Sequence, residues 1–475
     1  MSLPNTHFGP DGIGRILDGK KKIFFAGIGG VSMNSLAVLA KRRGFDVSGY
    51  DRTPSSITAR LEKAGIPVYY TADEAHVYDA DALVYTVAMA QTNPEYAWSK
   101  EHGVPLISRA DFLGWIMTDY GERIGVSGTH GKSTTTGMIC RILSHAGADP
   151  TVLNGAPLKE TGTVDRIGSK AFFAFEACEY MDSFLDFQPT TAVILNIDRD
   201  HVDYFSSLDQ LRGSFTRFAS ICGKDGLAVL NADDENCRII RPSLPCRTVT
   251  FSRLSAEADY SSARESSRGG YPSFDIAHGG EIVAHVDLKI PGEHNIANGL
   301  AAFAAAVENG IDPASAAEGL SSYAGIARRM EKLCVTKSGA SVYSDYAHHP
   351  TEIAATLKGA AAICPGKLRV VFQPHTYSCT AELFDGFVSA FADSGAEEVV
   401  FCDIYAARET NVYGVSSEQL AEAVAGKGKP AVRAASFDEA ARLLLDRSRS
   451  GDMIVVMGAG DVEKVGDILC ALSSD

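Results

Sequence analysis

Short apolar runs alternating with amphipathic stretches recur along the whole chain. The first run, residues 23–26, leads into a Gly-rich turn and a helical pattern that reaches Arg43. A strand signal at 46–50 ends at Asp51, and further signals at 67–69, 82–86 and 104–107 alternate with helical stretches, as in a parallel α/β sheet. The series then restarts with a strand at 123–126, a loop at 127–131 and a helix from Lys132 to about Ala146. Strands at 171–175 and 192–195 continue it, and residues 246–290 predict a small β excursion before a helix near Asn295, which would serve as its cap. A third series begins around Gly325, with strands at 341–344, 368–372 and 452–457 and a helix after Pro350. The Ser-rich stretch 252–267 reads as a loop. The pattern predicts an α/β chain of three units, 1–120, 121–324 and 325–475, and 475 residues is too long for one core.

Composition narrows the class. Apolar residues make up 45%, with 45 Gly and 18 Pro, which is ordinary globular usage. The longest apolar runs, such as 301–307, fall short of the roughly 20 residues of a membrane span. Residues 1–22 carry Pro, Gly and charges where a signal peptide would be apolar, so a cytoplasmic enzyme with no membrane partner is expected. A net charge of −15 without a basic run disfavours nucleic acid and anionic membranes. Anionic substrates must then be held by loop amides, Mg²⁺ and single basic side chains. The ten cysteines form no CxxC pair and are expected as free thiols.

The sharpest chemical signal is GTHGKSTTT, residues 128–136, between an apolar strand and a helix start. Backbone N–H groups of such a loop, together with the positive helix end, bind phosphate oxygens. Lys132 would reach the β- and γ-phosphates and the Ser133 hydroxyl would ligate Mg²⁺. The strict phosphate-loop spacing fails, because Val126 stands where a Gly belongs. The earlier loop GIGGVS, residues 27–32, followed by Asp51 at a strand end, is compatible with NAD, with another nucleotide diphosphate, or with plain turn chemistry. Two acidic clusters, FEACEY with Glu176 and Glu179 and NIDRDHVDYF with Asp200 and His201, each follow an apolar strand. Ligands collect at that end of an open α/β sheet, so these groups are expected to position a divalent metal on the phosphates. Further polar strings sit at strand ends or helix starts: PGEHNIANGLAA from 291, GIARRME from 325, SDYAHHPTE from 344 and FQPHTYSCT from 372.

In this order and at these separations the motifs resemble the Mur ligase family over essentially the whole chain. The resemblance rests on the GTxGKS loop, the Glu of FEACEY, NxxxDH, HNxxN, the Arg pair and DYAHHPTE. It implies a Rossmann-like domain binding a UDP sugar, a central P-loop ATPase domain with a parallel sheet and a small β region, and a Rossmann-like C-terminal domain carrying the amino acid. DYAHHPTE, FQPH, DIYAARE and GAGD are similar to the branch that joins L-alanine to the lactyl carboxylate of UDP-N-acetylmuramate through an acyl phosphate, using ATP and Mg²⁺. A sister ligase that attaches a recycled tripeptide to the same UDP sugar shares the motifs. A nicotinamide oxidoreductase and a catalytically silent nucleotide-binding protein are the readings from other classes.

Carried over position by position, the resemblance places Gly128, Thr129, His130, Gly131, Lys132, Ser133 and Thr134 around the ATP phosphates. It puts His294 and Asn295 near adenine, Asp345 near the ribose, and Arg329 or Arg328 on the phosphates after closure. Ser133, Glu176 and His201 would hold metal, Gly27, Ile28, Gly29, Gly30 and Asp51 would face the UDP sugar, and Tyr346, His348 and His375 would line the amino-acid pocket. His348 would orient or deprotonate the incoming amine. Where the family commonly has basic residues after His375, this chain has Thr376, Ser378 and Cys379, and Arg408 is the expected replacement.

Overall fold

The computed structural model describes residues 3–201, 204–407 and 409–474. Three separate sheets account for the strands. The first is fully parallel, in the order Val68–Tyr69, Asp46–Tyr50, Lys22–Ala26, Ala82–Tyr85, Leu106–Ser108. Its middle strands are buried almost throughout, which is why they read as continuous apolar runs.

The second sheet has ten strands. Its parallel centre places Glu122–Ser127 between Thr191–Ile194 and Phe172–Glu176, so the loop after it emerges among the carboxyl ends of neighbouring strands. One flank is antiparallel: Tyr260–Arg268, Tyr271–His278 and Glu281–Asp287 form a meander whose Gly-Gly turns, at 269–270 and 279–280, all have positive φ. Half of the expected Ser-rich loop is therefore strand, because its serines pair in a ladder with Tyr271–His278, and the exposed outer half of that strand needs no apolar alternation to make one. The following helix is His294–Glu308 with Glu293 at its N-cap; Asn295 lies inside the first turn and donates to the Pro291 carbonyl at 2.7 Å, so it is not the cap.

In the third sheet five parallel strands are flanked by the antiparallel edge strand Glu331–Val335. Its interior carries a charged knot, with Arg369 2.9 Å from Glu398 and 2.6 Å from Asp452, all three buried. Cys334 on the edge strand is bonded to Cys470 on the helix Glu463–Ser474, with Cα atoms 5.9 Å apart. The expectation of ten thiols is corrected here: the two cysteines are 136 residues apart in the chain, a pairing that only the packing of the last helix on the edge strand creates.

The first and second units share one apolar cluster, running from Phe25, Phe112 and Trp115 to Phe175, Phe184 and Phe218. At their seam the helix Arg109–Met117 presses so closely that a Cβ on Gly114 would sit 1.9 Å from the Asp186 carbonyl oxygen. No helix among the described residues is long and apolar enough to cross a membrane.

Candidate active site between the central and third units

The Gly-rich loop at residues 128–131 is shaped by two glycines with positive φ, Gly128 at +138° and Gly131 at +88°. A Cβ on Gly131 would meet Asn298 Oδ1 at 2.6 Å, so the helix carrying HNIAN packs directly on the loop. The loop is also bound to the NIDRDH segment: the His130 amide donates to Asn196 Oδ1 at 2.8 Å, and the Asp198 amide donates to Thr129 Oγ1 at 2.9 Å. Thr134 lines the cavity from the first turn of the helix. Lys132 Nζ donates to the Gly128 and Thr129 carbonyls at 2.6 and 3.1 Å and lies 3.2 Å from Glu179. Burial opposes its charge, but Glu179, with Cys178 and Glu176 beyond it, outweighs that and holds the ammonium above the usual lysine range.

Ser133 Oγ donates to Glu176 Oε2 at 2.6 Å, and the same oxygen accepts the Gly155 amide at 2.9 Å. A hydroxyl and a carboxylate in contact at the lip of a phosphate loop are a hard-oxygen pair that suits Mg²⁺. His201 lies in the left-handed region at φ +51°, with its ring near Tyr180 and its ligand atom within 4.8 Å of those of Cys178 and Glu179.

A cavity of about 480 Å³ opens beside the loop and is walled by both units. The central unit contributes His130, Gly131, Asn231, Phe251, His294, Asn295 and Asn298, and the third contributes Arg329, Asp345, Glu352 and Thr356. His294 lines the cavity and is exposed to it; the protein packed around it, aided by Arg329, lowers its pKa to about 4. Asp345 is buried and accepts the Met330 and Ala347 amides, both at 2.8 Å. Burial raises its pKa against the pull of Arg329.

The two units touch across this cavity. His130 lies 3.4 Å from Glu352 and 3.6 Å from Asp198, and Thr351 Oγ1 donates to Asp198 at 3.1 Å. Desolvation works against charge on His130, but the two carboxylates outweigh it and raise its pKa to about 9. Burial likewise opposes charge on Glu352, yet His130, His348 and Arg329 hold it well below the usual carboxylate range.

The two arginines part company. Arg329 lines the cavity 3.5 Å from Glu352, whereas Arg328, at φ +54°, turns away, donates to the Gly458 carbonyl at 2.8 Å and pairs with Glu463. Both guanidiniums lie over the Tyr346 ring, Arg328 at 4.8 Å and Arg329 at 5.5 Å from its centroid. From Tyr346 a ring series continues through His348 at 5.4 Å and His375 at 5.8 Å to Tyr405 at 5.9 Å. His348 Nδ1 lies 3.3 Å from Glu352. Burial, with the neighbouring His348, lowers the His375 pKa to about 4. Thr376 caps the helix Tyr377–Glu382, and Ser378 is bound to Glu409 through its amide at 2.9 Å. Arg408 lies outside the described residues.

In the first unit, Gly27 and Ile28 both donate to the Tyr50 carbonyl, and the Gly29 amide donates to Asp51 Oδ2 at 2.9 Å. A Cβ on Gly29 would sit 2.7 Å from that oxygen, so Asp51 acts within its own loop as a brace; Gly30 closes the turn by donating to the Gly27 carbonyl.

Sequence models of three Mur ligase domains match the chain: the family's catalytic domain over residues 22–120, the middle domain over 126–306, and the glutamate ligase domain over 328–460. The chain belongs to the Mur ligase family. A UDP-N-acetylmuramate–L-alanine ligase of Caldicellulosiruptor bescii is 42% identical over 94% of this chain and 98% of that protein. One from Clostridium acetobutylicum is 40% identical over 95% and 98%. Among solved structures, the UDP-N-acetylmuramate-alanine ligase of Thermotoga maritima aligns with a TM-score of 0.79 at 27% identity, covering 95% of this chain and 98% of that one. A murein peptide ligase from Psychrobacter arcticus shares the fold, with a TM-score of 0.69 at 24% identity over 95% and 98%.

Family motifs alone pass over the groups that join the two halves of the site. Glu352, Asp198 and Asn298 touch the phosphate loop from three different elements. Glu352 was visible as the last letter of DYAHHPTE and Asn298 as the second Asn of HNIAN, but neither string says which distant residue it will face.

Proposed function

We propose that this Mur ligase joins L-alanine to the lactyl carboxylate of UDP-N-acetylmuramate at the expense of ATP, in peptidoglycan precursor synthesis. What carries the reading is the cavity between the central and third units, where His130, Gly131 and Thr134 of the Gly-rich loop lie opposite Arg329 and Asp345. The relatives at 40–42% identity support the same substrates.

ATP would lie with its phosphates on the amides of residues 128–134 and its base toward His294 and Asn295. The neutral ring of His294 suits an uncharged base, and Asp345, whose Oδ1 accepts from Ala347 and Thr356 and whose Oδ2 accepts only the Met330 amide, has a lone pair on Oδ2 for a ribose hydroxyl. Lys132 and Arg329 would flank the γ-phosphate from opposite units. Ser133 and Glu176, with His201 nearby, would hold Mg²⁺, which when bound neutralises phosphate charge.

A carboxylate and a triphosphate repel one another, so the cationic side chains must cancel charge before an oxygen of the lactyl carboxylate attacks the γ-phosphorus and ADP leaves. The resulting acyl phosphate needs protection from water, which the contacts between His130, Asp198 and Glu352 across the cleft provide. The amine of L-alanine then attacks the carbonyl carbon and phosphate departs. His348, oriented by Glu352, is placed to take the proton the amine loses. Gly27 to Gly30 would face the UDP diphosphate.

The test is phosphate release from ATP with Mg²⁺ and UDP-N-acetylmuramate, offering each amino acid and the muramyl tripeptide separately, with Lys132→Ala as control. Release with L-alanine, absent from the control, is expected. Release with the tripeptide alone would assign the recycling reaction instead, and silence with every acceptor would sink the ligase reading.

A further inference from the structure

We propose that Arg199, carried by the central unit, supplies the cation that holds the carboxylate of the incoming amino acid. The inference rests on the amino-acid ligase reading above. An amino acid arrives with a carboxylate that loses water on entering a closed site, and it needs a counter-charge there.

Among the described residues, the phenol rings of Tyr346 and Tyr405 carry no such charge. His375 is neutral near pH 7, since burial and His348 lower its pKa to about 4. The guanidinium of Arg328 is committed to the Gly458 carbonyl and Glu463. The helix Tyr377–Glu382, next to His375, contains no basic residue and ends on a carboxylate. Thr376 and Ser378 are spent on capping and on Glu409.

Arg199 reaches this helix from the other unit. Its Nη2 lies 2.7 Å from Glu382, one helical turn beyond Cys379. Its backbone is held against the third unit, because His349 Nε2, next in the chain to His348, lies 3.2 Å from its carbonyl oxygen. The neighbouring Asp200 is close enough for its charge to act on both His348 and His375. The Arg199 side chain is 56% exposed, and one contact to Glu382 leaves most of its five N–H groups for a two-pronged grip on a carboxylate. The charge absent at Cys379 is thus provided across the domain boundary. Because the rings belong to the third unit and the arginine to the second, the grip exists only while the two meet, which ties amino-acid capture to closure.

The experiment compares wild type, Arg199→Ala, Arg199→Lys and the double variant Arg199→Ala/Cys379→Arg in full-length enzyme. KM for L-alanine, KM for ATP and the Mg²⁺ requirement are measured separately, with L-alaninamide as an acceptor lacking the carboxylate. Arg199→Ala is expected to raise the L-alanine KM on the order of 10- to 100-fold, the worth of a charged hydrogen-bond pair. It should also erase the preference for L-alanine over L-alaninamide, with ATP and Mg²⁺ dependence within about twofold of wild type. Lysine should retain part of the affinity, and the added Cys379→Arg should restore it. An unchanged L-alanine KM in Arg199→Ala overturns the inference, as does a parallel shift in Mg²⁺ requirement, which would point to a displaced His201. If wild type does not use L-alanine at all, it is the proposed function that fails.

Discussion

The ammonium of Lys132 lies 3.2 Å from the carboxylate of Glu179, whose side chain is 1% exposed. In a pair so far from water each charge depends on the other, and removing one partner costs about 3–5 kcal/mol. Lys132→Ala should therefore lower thermal stability as well as abolish phosphate release. Lys132→Ala/Glu179→Gln should regain most of the stability and none of the activity. Melting curves run beside the phosphate assay check this; a Lys132→Ala protein that melts like wild type would show that Glu179 does not need its partner.

Ser133 and Glu176 share a hydrogen bond at 2.6 Å, and each would be a metal ligand in the working enzyme. Glu176→Gln keeps the size of the side chain and removes its charge. The Mg²⁺ concentration for half-maximal rate should rise on the order of 10- to 100-fold, while affinity for the UDP sugar stays unchanged. A titration of rate against Mg²⁺, together with calorimetry of UDP-sugar binding, separates the two.

Protonated His130 bridges Asp198 and Glu352, and its pKa of about 9 exceeds the ordinary value of 6.5. The folded state thus binds this proton more tightly than the unfolded chain. The resulting stabilisation, about 3 kcal/mol, is complete below pH 6.5 and fades as pH rises through 9. Wild type should lose stability over that window, and His130→Gln should show a flatter profile. Melting temperatures of both proteins between pH 6 and 9.5 test it, and parallel profiles would contradict it.

Gly131 combines φ +88° with a neighbour, Asn298 Oδ1, 2.6 Å from where a Cβ would sit. Gly131→Ala should cost about 1–3 kcal/mol and raise the KM for ATP, because the loop must leave its place against the HNIAN helix. Gly213, inside the helix Leu208–Ser220 with nothing within 4 Å of its Cβ position, is the contrast. Gly213→Ala should be neutral or stabilising by up to about 1 kcal/mol, with unchanged kinetics.

Much of the fold could be read before any coordinates. Strands such as 23–26 and 82–86 lie within a residue of the observed Lys22–Ala26 and Ala82–Tyr85, because strands buried on both faces leave a continuous apolar signature. The strand Tyr260–Arg268 was hidden, since its outer half is exposed and serine-rich and becomes a strand only by pairing with Tyr271–His278.

The site divides along the same line. The turn from strand to helix at residues 128–134 was legible because its glycines, a lysine and a helix start lie within one short segment, where chain order and space nearly coincide. Tertiary structure decided what depends on two distant segments meeting. It turns Arg329 into the cavity and Arg328 away from it, and it engages Asp51 with the Gly29 amide. It joins Cys334 to Cys470, and it brings Arg199 to Glu382 across the boundary between units. Sequence by itself determined the elements and their local chemistry, because period and turn type are set by near neighbours. The partners across the cleft were decided by the order of strands in three sheets and the closure of one unit on another, and no local pattern encodes either.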